Sequence, residues 1–152
     1  MGERAAYLCE QVGEDTLADL VRLRAQWSQA EADGEQLAAR MHRWWARQGD
    51  RRRAWVVRDA DGVAVAMGNL AIFERMPKPN TLDGRWGYVG NVYVDPAHRR
   101  RGVASLLMTT VVEWARAERL ERIVLNPSEM SVPLYRSLGF RPADDLMRLD
   151  LD

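Results

Sequence analysis

The chain has 152 residues, of which 22 are Lys or Arg and 22 Asp or Glu, so it is formally neutral although 29% of it is charged. That length suits one domain, 1–152, with a sizeable core, and the balance excludes a chain-wide attraction to nucleic acid or to an anionic membrane. A single cysteine, Cys9, excludes an intrachain disulfide. The two histidines, His42 and His98, lie far apart, so no metal site is expected. No apolar run approaches the ~18 residues of a membrane span. No long apolar core follows a basic start, and the expected location is cytoplasmic.

In chain order, Ala5–Glu10 reads as a first short strand. Thr16–Asp19 has the look of a capping box, and Leu17, Leu20, Val21, Leu23 and Trp27 follow at helical spacing, predicting a helix over 15–31. Asp33-Gly34 breaks it, and a second helix is predicted over 35–48, with Trp44 and Trp45 on its apolar face. Arg51–Arg53 reads as a solvated turn. Two apolar runs flank Asp61-Gly62, a strong hairpin signal, and the second carries Gly68, where a bulge or bend is expected. Met76–Arg85 holds two prolines and a glycine and is a loop. Trp86–Val94 is the next strand. A helix with Val103, Leu106, Leu107, Val111, Trp114 and Ala115 on one face follows Gly102. Arg122–Leu125 is a short strand, Ser131–Leu138 a short helix stopped by Gly139, and Leu146–Leu151 alternates as a last strand.

The informative junction is DPAHRRRGVASLLMTTVVEWA, Asp95–Ala115. Three arginines before a helix could form a solvated charge run, a nucleic-acid patch, or a loop that holds phosphate. A strand that hands over to a helix leaves the first helical N–H groups unpaired, and these favour an anion. Close approach of a phosphate needs very small residues, and Gly102 and Ala104 supply them. Arg99, Arg100 and Arg101 add forked, permanently charged donors. Spacing and chemistry agree on a pyrophosphate.

The stretch NVYVDPAHRRRGVASLLM resembles motif A of the GNAT superfamily of N-acetyltransferases, whose pattern is R/Q-x-x-G-x-G/A after a strand. PSEMSVPLYRSLGF, Pro127–Phe140, resembles the same family's L-Y-x-x-x-G-F element. The resemblance implies an α/β fold: a GNAT-like mixed central sheet, mostly antiparallel with one splayed parallel pair, flanked by about four helices. It implies acetyl-CoA as cosubstrate and an amine acceptor. Arg99, Arg100, Arg101, Gly102, Val103 and Ala104 would hold the pyrophosphate. The bulged strand before them, at Val92, Tyr93 and Val94, would bond the pantetheine arm and the acetyl carbonyl. Tyr135 would stand near the thioester sulfur as general acid. Ser128 replaces a common asparagine, which puts that CoA contact in question. A homodimer is the family expectation.

The base that accepts the amine proton stays open among Glu74, Glu129 and a water chain to Asn91 or main-chain carbonyls. The acceptor is expected over the first two helices, near Trp27, Trp44, Trp45, Glu31, Asp33, Glu35 and Glu74. The expected function is acetyl transfer from acetyl-CoA to a primary amine of a small molecule or protein. The alternatives are a weak or inactive CoA-binding regulatory module of the same fold and a nucleic-acid binder using the arginine triplets.

Overall fold

The computed structural model describes residues 6–28 and 34–152. Five strands form one sheet in the order β1-β2-β3-β4-β5: β1 Leu8–Gln11, β2 Arg52–Arg58, β3 Ala64–Glu74, β4 Arg85–Val94 and β5 Ile123–Leu125. The first three pairings are antiparallel, and β4–β5 is parallel. The helices are α1 Leu17–Ser28, α2 Gly34–Gln48, α3 Val103–Ala117, which carries the chain from β4 to β5, and α4 Val132–Ser137. This is the mixed α/β architecture expected. Among the described residues no helix is long and apolar enough to cross a membrane.

Both faces of the sheet are covered, so its inner strands are nearly continuous apolar runs rather than alternating ones. The first nine residues of β3 are all buried. On one face Trp55, Val57, Leu70, Ile72 and Val89 pack against Val103, Leu107, Met108 and Val111 of α3 and against Tyr135 of α4. On the other, Ala54, Val56, Met67 and Tyr93 pack against Leu17, Leu20 and Leu23 of α1. Arg58 links the elements at the near edge. Its guanidinium donates to Glu10 Oε1 at 2.6 Å and to Asp19 Oδ2 at 2.8 Å, joining β1, β2 and α1.

The structure revises several expectations. The first helix opens with a 3-10 turn, Glu14–Thr16, in which Thr16 Oγ1 accepts from Gly13 N–H; Thr16 therefore closes a turn instead of capping toward Asp19. Ala5 and the end of that helix at Glu31 lie outside the described residues. Arg52 and Arg53 belong to β2, and Arg52 is half-buried instead of solvated. The bulge lies not at Gly68 but opposite it, on β4, the strand that the family resemblance marked as bulged: Met67 faces Tyr93 and Asn69 faces Gly90, so Asn91 and Val92 together oppose one residue. Gly68 is needed for a different reason. A Cβ there would lie 3.3 Å from Leu107 Cδ2, so the glycine lets α3 sit close on the sheet.

The largest departure is at Leu146–Leu151. No strand forms there; residues 141–152 have no regular structure and every one is exposed. The alternation that predicted a strand is real, but the segment meets no sheet edge of the described chain.

Leu107 is fully buried between α3 and the sheet. Leu107→Ala should lower unfolding free energy by about 3 kcal/mol, because transfer and cavity costs add. Urea denaturation followed by circular dichroism measures it; a loss under 1 kcal/mol would contradict the packing described.

Candidate active site

The loop from β4 to α3 is held by short-range bonds. Asp95 N–H donates to Val65 O at 2.8 Å, and Asp95 Oδ1 accepts from Ala97 N–H at 3.0 Å. That last bond holds the Asp95 carboxyl below the usual carboxylate range. His98 ends the short 3-10 turn Pro96–His98. It is half-buried, with Nδ1 2.8 Å from the Tyr7 hydroxyl, so it ties the chain ahead of β1 to this loop.

Beyond it the backbone turns through two left-handed residues, Arg100 at φ 63° and Gly102 at φ 79°. A Cβ on Gly102 would meet no atom within 4 Å. The glycine is therefore demanded by its backbone angle, and the space in front of it is open. The first helical bond of α3 runs from Leu106 N–H to Gly102 O, at 3.0 Å. The N–H groups of Val103, Ala104 and Ser105 precede it and have no helical acceptor. The Val103 side chain is buried, so only its main chain faces the loop. Arg99, Arg100 and Arg101 are all exposed, and Arg99 Nε also donates to Val94 O at 3.2 Å.

Beside this loop the sheet opens. The β4–β5 pairing covers only Gly87–Val89 against Ile123–Leu125. From Gly90 onward β4 bends at the bulge, where Asn91 adopts φ 55°, and it continues to Val94 without a parallel partner. Val92 and Val94 pack toward the α3 core, whereas the Tyr93 side chain points to the other face. There its ring stacks on Trp27, with centroids 5.5 Å apart, and its hydroxyl accepts from Gln26 Nε2 at 3.0 Å.

Tyr135 comes from α4, on the far side of the opening. Its ring is buried edge-on against Phe140, and burial pushes its hydroxyl above the ordinary value of 10.0. The hydroxyl makes no hydrogen bond among the described residues, yet no buried side-chain N or O is left without a partner. It therefore reaches a solvent-accessible spot and stays protonated at neutral pH. Ser128 precedes the short turn before α4, and its hydroxyl donates to the Ser131 hydroxyl at 3.0 Å rather than to a main-chain N–H of the turn.

A left-handed glycine at a helix start lies beside a parallel pair that separates after three positions, and α4 brings a protonated tyrosine to the same side of the sheet as α3. A model of the acetyltransferase (GNAT) family matches residues 18–140. The chain belongs to that family. It is 34% identical over 106 residues to glucosamine 6-phosphate N-acetyltransferase of Trypanosoma brucei brucei, covering 66% of this chain and 70% of the relative. It is 30% identical over 139 residues to aminoglycoside N(6')-acetyltransferase type 1 of Acinetobacter haemolyticus, covering 88% and 90%. Among solved structures, a Clostridium acetobutylicum predicted acetyltransferase with acetyl-CoA shares the fold at TM-score 0.76 and 20% identity, over 96% of this chain and 97% of that one. GNAT enzymes are N-acetyltransferases that use acetyl-CoA as cosubstrate, and this chain is an acetyltransferase of that family.

Several polar residues near the bulge and the opening escaped the sequence. Arg52 is half-buried on the α1–α2 face. It donates to Asn69 Oδ1 at 2.5 Å and to Gln48 Oε1 at 2.8 Å, and lies 5.1 Å from the Trp44 ring. Asn69, itself buried, passes the network on through Nδ2 to Asn91 Oδ1 at 2.9 Å, directly at the bulge. An asparagine inside an apolar strand, NLAIF, was the available signal. Asn126, at the end of β5, donates to the Tyr88 hydroxyl at 2.5 Å and stands two residues before Ser128.

Glu74 pairs with Arg85 in register, five positions from the Asn69–Gly90 pair, or about 17 Å along the strand. It does not join the bulge. His42 sits exposed on α2 with Nδ1 on Ala38 O, as a surface histidine would. Trp45 packs against the α1-side core, while Glu31 and Asp33 lie outside the described residues.

Because burial raises Tyr135, its phenol should remain neutral throughout pH 6–10 and ionise only above the unfolded value. Stability from its neutral form is complete below that value and is lost as pH rises through the folded one. Comparing ultraviolet titrations of wild type and Tyr135→Phe isolates this group; an ionisation below pH 10 would contradict the assignment.

Proposed function

We propose that this acetyltransferase moves the acetyl group of acetyl-CoA directly to a primary amine of a small molecule or protein. The observation that carries the reading is the split between β4 and β5, which opens beside the free N–H groups of α3 and beneath Tyr135. In open α/β sheets, ligands bind at the carboxyl ends of the strands, where neighbouring connections diverge.

Each group then has a task. Gly102, Val103 and Ala104 offer N–H donors to the pyrophosphate, and Arg99, Arg100 and Arg101 add charge around it. The main chain of Val92, Tyr93 and Val94, unpaired on its β5 side, takes the pantetheine arm. Ser128 and Asn126 stand at the β5 rim of the same opening and serve its amide groups. A main-chain donor at the bulge receives the developing oxyanion; such a fixed donor in a dry site is worth about 3 kcal/mol.

The amine nitrogen attacks the thioester carbonyl, and the carbon–sulfur bond breaks. The leaving thiolate takes the Tyr135 proton, which solvent replaces; burial raises the phenol above its ordinary value, so its proton is in place when the thiolate forms. The amine proton leaves through water. The Asn69–Asn91 pair at the bulge is the polar group positioned to hold that water, since no carboxylate pairs with the bulge among the described residues.

The acceptor approaches from the α1–α2 face, where Trp27, Trp44 and the stacked Phe73–Trp86 pair leave aromatic surface around Arg52. Relatives named for glucosamine 6-phosphate and for aminoglycosides support a polar amino sugar over a protein terminus.

Calorimetry with acetyl-CoA is the test. Wild type should bind in the micromolar range. Gly102→Glu should weaken binding by about 100-fold, since a carboxylate on a left-handed residue both strains the loop and repels phosphate. Tyr135→Phe should leave binding unchanged and lower kcat by about 10²–10⁴ in an amine screen. No binding by wild type would overturn the reading. Binding without turnover on any amine would assign the chain to the rival, a CoA-binding regulatory module.

A further inference from the structure

Arg52, the first residue of β2, carries a guanidinium that its neighbours hold in one orientation. Nε donates to Gln48 Oε1 at 2.8 Å and Nη1 to Asn69 Oδ1 at 2.5 Å, and Cζ lies over the Trp44 ring, 5.1 Å from its centroid. Those two bonds use two of the five N–H groups of the fork. Nη2 makes no hydrogen bond among the described residues, yet no buried side-chain nitrogen or oxygen there lacks a partner, so Nη2 reaches solvent. A planar cation gripped by amide oxygens, backed by an indole and open at its outer end, is a fork preorganised for an oxyanion.

No carboxylate neutralises it among the described residues. Arg58 meets Glu10 and Asp19, Arg53 meets Asp50, Arg75 meets Glu121 and Arg85 meets Glu118, whereas both acceptors of Arg52 are uncharged. The elements around it, α2, β2, β3 and β4, carry two carboxylates, Glu35 and Glu74. Glu74 lies three residues past Ala71, the register partner of Arg52, about 10 Å along β3. Glu35 opens α2, nine residues or about 13 Å before Trp44. Burial accordingly pushes Arg52 below its usual range with no acid to raise it, whereas Asp19 and Glu10 raise Arg58. The guanidinium keeps its charge at any physiological pH.

The fork also stands near the point where β4 leaves β5. Asn69 bridges it to Asn91 Oδ1, at 2.9 Å, on the bulge. We propose that Arg52 binds an anionic group of the acceptor, so that the acceptor is an amine carrying a phosphate or carboxylate several bonds from its nitrogen. One asparagine side chain lies between the fork and Asn91, and that sets the spacing: the amine at the bulge, the anion at the fork. Next along the same face of the sheet, Ala71 opposite Tyr88 and the stacked Phe73–Trp86 pair offer apolar surface to the body of such a molecule. A polycationic acceptor would instead meet Arg52 as a like charge. The inference rests on the acetyl-transfer reading for the fate of the amine, and its test separates the two.

Calorimetry on the full chain saturated with CoA, which has no acetyl group to transfer, compares matched amines. The pairs are glucosamine 6-phosphate against glucosamine, phosphoethanolamine against ethanolamine, and γ-aminobutyrate against butylamine. In at least one pair the charged member should bind about tenfold more tightly, as charge-assisted bonds allow, and the responding pair tells phosphate from carboxylate. Arg52→Gln should erase that preference. Arg52→Lys, which keeps the charge and loses the fork, should fall between. A wild type that prefers the charged member of no pair would overturn the proposal, a result that needs no variant. So would an Arg52→Gln chain that weakens both members of a pair equally, which is the mark of a purely structural arginine. If CoA does not bind, the acetyl-transfer reading fails, and the same titrations on the free chain still decide whether Arg52 takes the anion.

Discussion

The two-for-one bulge at Asn91–Val92 is the constraint on which the site depends. One extra residue on β4 turns that strand away from β5 after only three paired positions. A regular ladder would run the two strands together and close the opening. The cost is an asparagine at positive φ and a polar network inside an apolar sheet. Both are tolerated because Asn tolerates left-handed backbone better than other non-glycine residues and because every member of the Arg52–Asn69–Asn91 chain has a partner.

α3 answers that opening from the other side. Its apolar face anchors on Leu107 and Val111, and the closeness that Gly68 allows fixes where its first turn comes to rest. The free N–H groups of that turn are thus aimed by core packing twenty or more residues away in sequence. Tyr135 follows the same logic. Its ring belongs to the α3-side core, and only its hydroxyl reaches solvent, so the group that would donate a proton is positioned by hydrophobic contact. Burial raises its proton affinity in the same stroke.

Much of this was legible in the sequence because the signals were local. Gly102 before an apolar helix, Asp61-Gly62 between β-branched runs and Gly139 after L-Y-R-S-L each state a backbone need within a few residues. The Leu146–Leu151 alternation was equally clear, yet no strand formed, since a strand also needs an edge that its own pattern does not name. Arg52 was misread because burial of an arginine depends on Trp44 and Asn69, distant in the chain. A bulge or bend was expected at Gly68 and, from the family resemblance, a bulge on the strand of Val92–Val94; the extra residue sits on that second strand, opposite Gly68. The contact of His98 with Tyr7 gave no local signal, since the two lie 91 positions apart.

The sheet divides the interior into two cores that share a wall but few side chains. One is built on α3 and Tyr135, the other on α1, with α2 leaning on it. Substitutions on opposite faces of such a partition combine nearly additively, since residues far apart with no common partners couple weakly. α1 and α2, where the proposed reading seats the acceptor, can therefore be repacked, lengthened or re-charged with little penalty to the loop at Gly102. A lineage could change what it acetylates without relearning how to hold the donor. The narrow exception is Tyr93, whose backbone belongs to the split strand while its ring stacks on Trp27. Through that residue a change of acceptor would be felt across the wall.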